Sequence, residues 1–441
     1  MNLIAEETKK SSLTYAWYVV GLLTLANISS FLDRQILALL IGPIKRDLHL
    51  SDTKVSLLMG LSFALFYTFF GVIISRLADR TNRRNVIMGG IAMWSLFTAL
   101  CAGVKNYSQF FLARMGVGVG EATLSPSAYS LISDYFPKRK LGFALSIFSA
   151  GIFLGSGLAL TIGSTIVAAL PQEGTVTVPV FGEIYHWQKL FLLIGIPGFI
   201  ISLLLLTVKE PARKGMLGIN DALQQKFSLS QAFKIVFAHP KIFLGICIGT
   251  AFTAIVTYGC TAWVPTYFLR TFAWPVPKTG LIFGLVLLAG SLCGVLWGGW
   301  YADYLENKGT QHARIRVGII SAIGIFISCF IPLVNNPVVV MALLFIPAFF
   351  IASPMGASSS AIQALMPNQV RALASSIFLF LINIIGLGLG PFLVAFFTDS
   401  IFKNETDIRF SLAITIAIGG AGAVISYFIA FKNDKSVLHS K

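Results

Sequence analysis

Arg114-Met-Gly-Val-Gly118-Val-Gly120-Glu121-Ala122 places an arginine and a carboxylate inside a run that otherwise reads as lipid-soluble. Seven positions separate the two charges. That is about two helical turns, so both project from one face of a helix. Ionisable side chains at membrane depth are costly and point to function by default. The glycines between them allow a neighbouring backbone to come close.

Outward from this stretch the chain is apolar throughout. Of its 441 residues 56% are hydrophobic and only 12% charged, about half the charged fraction of an ordinary soluble domain. The apolar residues lie in long runs, which predicts a membrane protein and not a large soluble core. A polar start followed by an apolar run too long for a signal h-region predicts no cleavable signal peptide. Twelve segments are expected to span, at 15–43, 53–77, 85–104, 107–134, 140–170, 188–208, 241–270, 278–303, 314–334, 337–366, 370–399 and 408–431. The fold class is therefore all-α integral membrane. An even count puts both termini on one side.

The net charge of +15 would fit nucleic acid if it were spread evenly, but it is not. With a cytoplasmic N-terminus, 22 of the 33 Lys and Arg fall in cytoplasmic segments, nine fall outside, and Arg34 and Arg114 lie within helices. This is the positive-inside asymmetry, and it predicts attraction to anionic lipid. A bacterial inner (plasma) membrane with both termini cytoplasmic is the expected setting. The five cysteines sit in apolar segments without metal-like spacing and read as small packing residues.

The longest connection, 209–240, divides the chain into halves at 1–208 and 241–441. It contains Ser228-Leu-Ser-Gln-Ala-Phe-Lys-Ile-Val-Phe237, whose spacing predicts a short amphipathic helix on the membrane surface. The halves carry matching punctuation. Ser125-Pro126, Phe136-Pro137, Arg139 and Ser146-Ile-Phe148 are answered by Ser353-Pro354, Met366-Pro367, Arg371 and Ser376-Ile-Phe378. The connection with Gly298, Gly299, Asp303, Arg314 and Arg316 is a degraded copy of the one with Gly71, Arg76, Asp79, Arg80, Asn82, Arg83 and Arg84. Two pseudo-symmetric six-helix bundles around a midplane site form a transporter architecture.

Those motifs carry a family resemblance. Gly71…Asp79-Arg80…Arg83-Arg84 resembles the signature of the major facilitator superfamily between its helices 2 and 3, and Arg114…Gly118-Val-Gly120-Glu121-Ala122 resembles its helix-4 signature. Asn82 stands where that loop usually has glycine. Asp33-Arg34, the helix-4 motif and Gly155-Ser-Gly157 are together most similar to the Spinster-like branch. The resemblance implies proton-coupled movement of sphingolipids, lysophospholipids or other amphipathic anions by alternating access. The organic-acid (carboxylate) symporters of the anion:cation type share a similar Asp-Arg and helix-4 Glu and are the alternative. The resemblance also implies a latch in which Asp79 caps a facing helix N-terminus, that of segment 11, with Arg80, Arg83 and Arg84 beside it paired with acids or phospholipid, and Asp303 as the counterpart in the second half. Topogenic positive charge is the competing account of Arg83 and Arg84.

Rise per residue places Asp33 about 12 Å short of the outer end of segment 1 and Arg114 about 10 Å into segment 4, with Glu121 about 10 Å deeper. With segments 1 and 4 as neighbours, as the resemblance implies, Asp33, Arg34 and Arg114 share a layer. Glu121 is the expected proton carrier, with Asp33 as a second acid. An isolated buried carboxylate favours its neutral form and a nearby guanidinium its charged form, so moving Arg34 or Arg114 would switch protonation. The competing reading is a structural ion pair between Glu121 and Arg114, with Asp33 neutralising Arg34. Arg34 is the expected contact for an anionic head group. Arg114, Asn27, Tyr258, Trp263, Ser359, Gln363 and Asn383 complete the expected cavity, although each neutral member alone is more often a helix-packing residue.

Other classes fare worse. All five histidines lie in loops and no metal or nucleophile constellation falls within the spans, so an intramembrane enzyme has no support. No nucleotide-binding motif is present. A channel or receptor would not need repeated halves with charge in one half only. The expected partners are a small-molecule or lipid substrate, protons and membrane lipids, with no nucleic acid and no cofactor, for a protein acting as a monomer.

Overall fold

The computed structural model describes residues 2–171, 173–211, 229–310, 312–367 and 370–438. Among them, eleven helical stretches are long and apolar enough to cross a membrane. The twelfth expected span, segment 4, is two shorter helices, Tyr107–Glu121 and Leu124–Tyr135. The break follows Glu121 directly. Ala122 N–H bonds the Gly118 carbonyl at 3.1 Å, and Thr123 N–H tightens onto that of Gly120 at 3.2 Å. The Thr123 hydroxyl bonds the same Gly120 oxygen at 2.8 Å. Interrupted helices at membrane depth are tolerated where side chains re-satisfy the freed backbone, as Thr123 does here.

Packing divides the chain into two compact units. One comprises Met1–Leu48 and Leu65–Gln225, the other His49–Ala64 and Lys226–Lys441. By sequence, segment 2 belongs wholly to the first half; by packing, its first turns belong to the second unit.

In the first unit the long helix Asn2–Leu39 runs beside Lys138–Ala169. Gly155 makes the approach close, since a Cβ there would lie 2.7 Å from the Ile28 carbonyl oxygen. Side-chain caps fix where helices begin: Asn82 accepts from Asn85 N–H, and Asn106 from Gln109 N–H. Such caps satisfy donors that the first turn leaves orphaned. Asn82 is in extended backbone, φ −72° and ψ 111°. Where that loop usually has glycine, this residue serves as a cap, a role Asn fills better than Gly. A small hairpin, Thr175–Val178 paired with Gly182–Tyr185, joins segments 5 and 6.

In the second unit Tyr427 is the buried polar hub. Its hydroxyl lies 2.9 Å from Thr250 Oγ1 and 3.0 Å from Ser358 Oγ, joining three helices. Segment 11 alternates α and π geometry: Arg371–Leu381, a π turn at Ile382–Leu387, Gly388–Phe396, and a second π turn at Phe397–Phe402. Wide turns of this kind recur at functional positions. A short helix, Leu229–Val236, lies in the stretch expected to be helical, with Phe233 exposed and Val236 buried; Ser228 and the rest of 212–228 lie outside the described residues.

Candidate functional site

Segments 1, 3 and 4 assemble a buried charge cluster in the first unit. Ser30 and Arg34 are one helical turn apart on segment 1, so they share a face. Both reach Glu121. Arg34 Nε and Nη2 each lie 2.6 Å from Glu121 Oε2, and the Ser30 hydroxyl donates to the same oxygen at 2.5 Å. Asp33, on the adjoining face, takes Arg114 Nη1 at 3.0 Å on Oδ1 and the Thr98 hydroxyl on Oδ2. Glu121, Asp33 and Arg114 are each 1% exposed, whereas the Arg34 side chain keeps 12%. Two atoms of the cluster, Glu121 Oε1 and Arg114 Nε, are buried without a hydrogen-bond partner.

The pairing differs from the competing reading and selects Arg34 from the two arginines of the first. Glu121 is held by Arg34, not Arg114, and Asp33 neutralises Arg114, not Arg34. The reason is geometric. Charges seven residues apart on one helix are about 10 Å apart along its axis, too far for direct contact, so each finds its partner across the helix interface. A buried charge left alone would cost several kcal/mol, and the crossed pairing leaves no charge of the four unpaired. The backbone behind Glu121 is fixed by tight packing. A Cβ at Gly120 would lie 2.6 Å from Trp94 N and 2.8 Å from Gly90 O.

Arg34 has a second kind of neighbour. Its guanidinium carbon lies 4.7 Å from the Phe31 ring centroid and 4.9 Å from that of Tyr67. Aromatic faces at this range attract the cation. One basic group is thus shared between an acid and two rings, with part of its surface open.

Several expected cavity residues fall elsewhere. Asn27 is buried and donates to the Phe148 carbonyl at 2.9 Å, tying segment 1 to segment 5. Trp263 is fully buried and its indole N–H bonds the Pro391 carbonyl at 3.0 Å. Both correct the expectation that they line a cavity: their polar groups satisfy helix backbones. Tyr258, Ser359 and Asn383 are half-buried and Gln363 is exposed, all in the second unit.

Of the expected latch, Asp79 and Arg80 fall on the helix Leu61–Arg80 with side chains outside the described residues. Asp303 is exposed at the end of Val276–Asn307. Arg83 departs from topogenic charge. It is 2% exposed and meets Asp134 Oδ2 at 2.5 Å, Glu210 Oε1 at 2.7 Å and Ser130 Oγ at 2.9 Å. Glu210 also receives Arg84 N–H at 3.1 Å. Arg83 therefore binds the ends of segments 3, 4 and 6 together, through acids that its place in a basic loop did not identify. Thr98 and Ser30 were also missed; Ser30 was legible as the i−4 neighbour of Arg34.

The profile described as Major Facilitator Superfamily matches residues 23–391. Among curated relatives, the chain is 27% identical to an MFS-type efflux pump of Mycolicibacterium smegmatis, over 94% of this chain and 92% of the relative. It is 25% identical to a probable L-galactonate transporter of Escherichia coli (92% and 88%). It is also 25% identical to protein spinster homolog 1 of Xenopus tropicalis (95% and 81%). Among solved structures it superposes with TM-score 0.81 and 25% identity on a bacterial homolog of the human lysosomal transporter Spinster, covering 97% and 98% of the two chains. The relatives are transporters and not enzymes, and the apolar helices make this an integral, multi-pass membrane protein. The chain belongs to the Major Facilitator Superfamily, as a transporter whose likeness within it is to the Spinster-like branch.

Proposed function

We propose that the protein is a proton-coupled secondary transporter of an amphipathic or organic anion, of the lysophospholipid or sphingolipid kind, working by alternating access. The carrying observation is the state of Glu121: one oxygen is held by Arg34 and Ser30, and the other is buried without a partner. Arg34 is the only one of the four charged residues with appreciable exposure, and it lies between aromatic rings. An anionic head group competes with Glu121 for that guanidinium, because carboxylate and phosphate both suit its fork. Once Arg34 turns to the substrate, Glu121 is a buried carboxylate that has lost its counter-charge, and it takes up a proton. Anion and proton then load together. Asp33 and Arg114 stay paired and hold the segment 1–4 interface.

The aromatic setting of Arg34 favours a substrate with an apolar portion beside its charge. A sphingosine-1-phosphate transporter of Danio rerio, 26% identical over 87% of this chain, supports a lipid-like substrate. The L-galactonate relative favours a second reading, a small carboxylate moved by the same pair. In the proposed setting the protein acts as a monomer in a bacterial inner (plasma) membrane with both termini cytoplasmic.

The deciding experiment uses purified protein in liposomes. Lysophospholipids, a sphingoid phosphate and small hydroxy-carboxylates are offered with and without an imposed pH gradient. Gradient-driven movement of the amphipaths supports the reading. Movement of small carboxylates alone replaces it with the second. Transport of the amphipaths at a rate indifferent to the gradient removes the proton.

A further inference from the structure

Many hydroxyls in the spans bond back to their own helix. Thr24 donates to the Val20 carbonyl at 2.8 Å, Thr161 to that of Gly157 at 2.9 Å, and Ser62, on segment 2 itself, to that of Leu58 at 2.9 Å. Thr68, farther along segment 2, does not. It is 6% exposed, and its Oγ1 is buried without a hydrogen-bond partner among the described residues. An unbonded buried hydroxyl costs free energy, so in a native fold such a group calls for a partner.

Two contacts place Thr68 beside the Arg34–Glu121 pair. The ring centroid of its neighbour Tyr67 lies 4.9 Å from the Arg34 guanidinium carbon. A Cβ at Gly71 would lie 4.0 Å from the Cβ of Ala122, the residue after Glu121. At about 100° per residue, Gly71 falls between Tyr67 and Thr68 around the helix, about 40° from the first and about 60° from the second. The three therefore form one face, and that face meets Arg34 and the end of the helix that carries Glu121. Depth agrees. By the span count segments 2 and 4 run in the same direction, and Thr68 precedes Gly71 by about 4.5 Å along the axis. Glu121, just before Ala122, leans its side chain back toward the start of its own helix. Its Oε1 is the second buried atom without a partner. The other such hydroxyls of this unit lie elsewhere. Ser95 faces segment 6, where a Cβ at Gly198 would collide with its Oγ, and Ser127 is beyond the break in segment 4.

We infer that Thr68 Oγ1 and Glu121 Oε1 hold one water between them, and that this water passes the proton onto and off Glu121. The inference rests on the proton-coupled reading of Glu121. Thr68 is then a positioning residue. Its hydroxyl both donates and accepts, which suits the two states of the acid. With Glu121 charged, Thr68 donates to the water and the water donates to Oε1. With Glu121 neutral, its O–H donates to the water and the water donates to Thr68. Loading moves one proton: the water gives a hydrogen to Oε1 and regains one from a solvent hydronium, leaving a carboxylic acid and water. Two polar groups are the fewest that hold a buried water.

The test compares Thr68→Val, which keeps the branched shape without the hydroxyl, with Thr68→Ser, which keeps the hydroxyl. In liposomes with an imposed pH gradient, Thr68→Val is expected to slow uptake by about tenfold, the worth of one hydrogen bond to a charged group, and to displace its pH profile. Thr68→Ser restores both. Wild-type rate and pH profile in Thr68→Val overturn the relay. Thermal unfolding of Thr68→Val, Glu121→Gln and the double variant needs neither substrate nor gradient. A shared water makes the two changes non-additive, whereas the same cycle with Thr68→Ser stays additive; additive shifts in the Val cycle overturn the shared water. If Glu121→Gln does not fold, Thr68→Val alone decides. A methyl group improves on a hydroxyl that bonds nothing, so a raised unfolding midpoint overturns the inference and an unraised one supports it. A wild type indifferent to the gradient is failure of the transport reading, and the unfolding measurements still decide the water.

Discussion

Arg34 meets Glu121 through a single carboxylate oxygen, with Nε and Nη2 both 2.6 Å from Oε2, while Oε1 is buried without a partner. In the proposed coupling, that oxygen is where the proton binds. Glu121→Gln preserves shape and the bond from Ser30 but cannot ionise. It is expected to abolish pH-gradient-driven uptake in liposomes while the detergent-solubilised protein stays monodisperse and counterflow exchange persists. Uptake that still follows the gradient would remove Glu121 from the coupling path.

Arg34→Lys tests the substrate contact separately. Lysine keeps the charge but loses the fork and the planar stacking on Phe31 and Tyr67. The expected result is apparent substrate affinity weaker by about tenfold to a hundredfold, about 1.4–2.8 kcal/mol, with coupling to the gradient retained. Equal loss of affinity and coupling would mean that Arg34 serves Glu121 alone.

The Asp33–Arg114 pair is expected to behave as structure. Each partner is 1% exposed, and removing either leaves a charge buried and unpaired, costing about 3–5 kcal/mol. Asp33→Asn and Arg114→Met should each lower thermal stability sharply. The double variant should recover much of the loss, because it leaves neither charge behind. Single and double variants of equal stability would show that the pair does not hold the interface.

Most of the fold was legible because the determinants are local: apolar runs set the spans, and Ser, Asn and Pro set their ends. The break in segment 4 was not, since it depends on Thr123 bonding back to Gly120 and on the packing of Trp94 and Gly90 behind it. Within the site, sequence identified all four charges but not their pairing. Pairing depends on how segment 1 is rotated about its own axis, and only the i, i+4 relation of Ser30 to Arg34 carried that information. Arg83 had two readings, topogenic charge or pairing with an acid; one of its acids, Glu210, lies 127 positions away, and nothing in a single chain says which acid it is.

Gly120 gives the sharpest steric prediction. A methyl group there meets the Trp94 and Gly90 backbones, neither of which can swing aside as a side-chain tip would. Gly120→Ala is therefore expected to push Glu121 away from Arg34 and to destabilise by about 1–3 kcal/mol, the usual range for overpacking. Gly299→Ala is the control: a Cβ at Gly299 meets nothing within 4 Å, and it lies within the helix Val276–Asn307, where alanine is the better former by about 1 kcal/mol. Thermal unfolding of the two variants should move in opposite directions. Transport should fall in Gly120→Ala and not in Gly299→Ala, because Gly120 packs segment 4 against segment 3 directly behind Glu121.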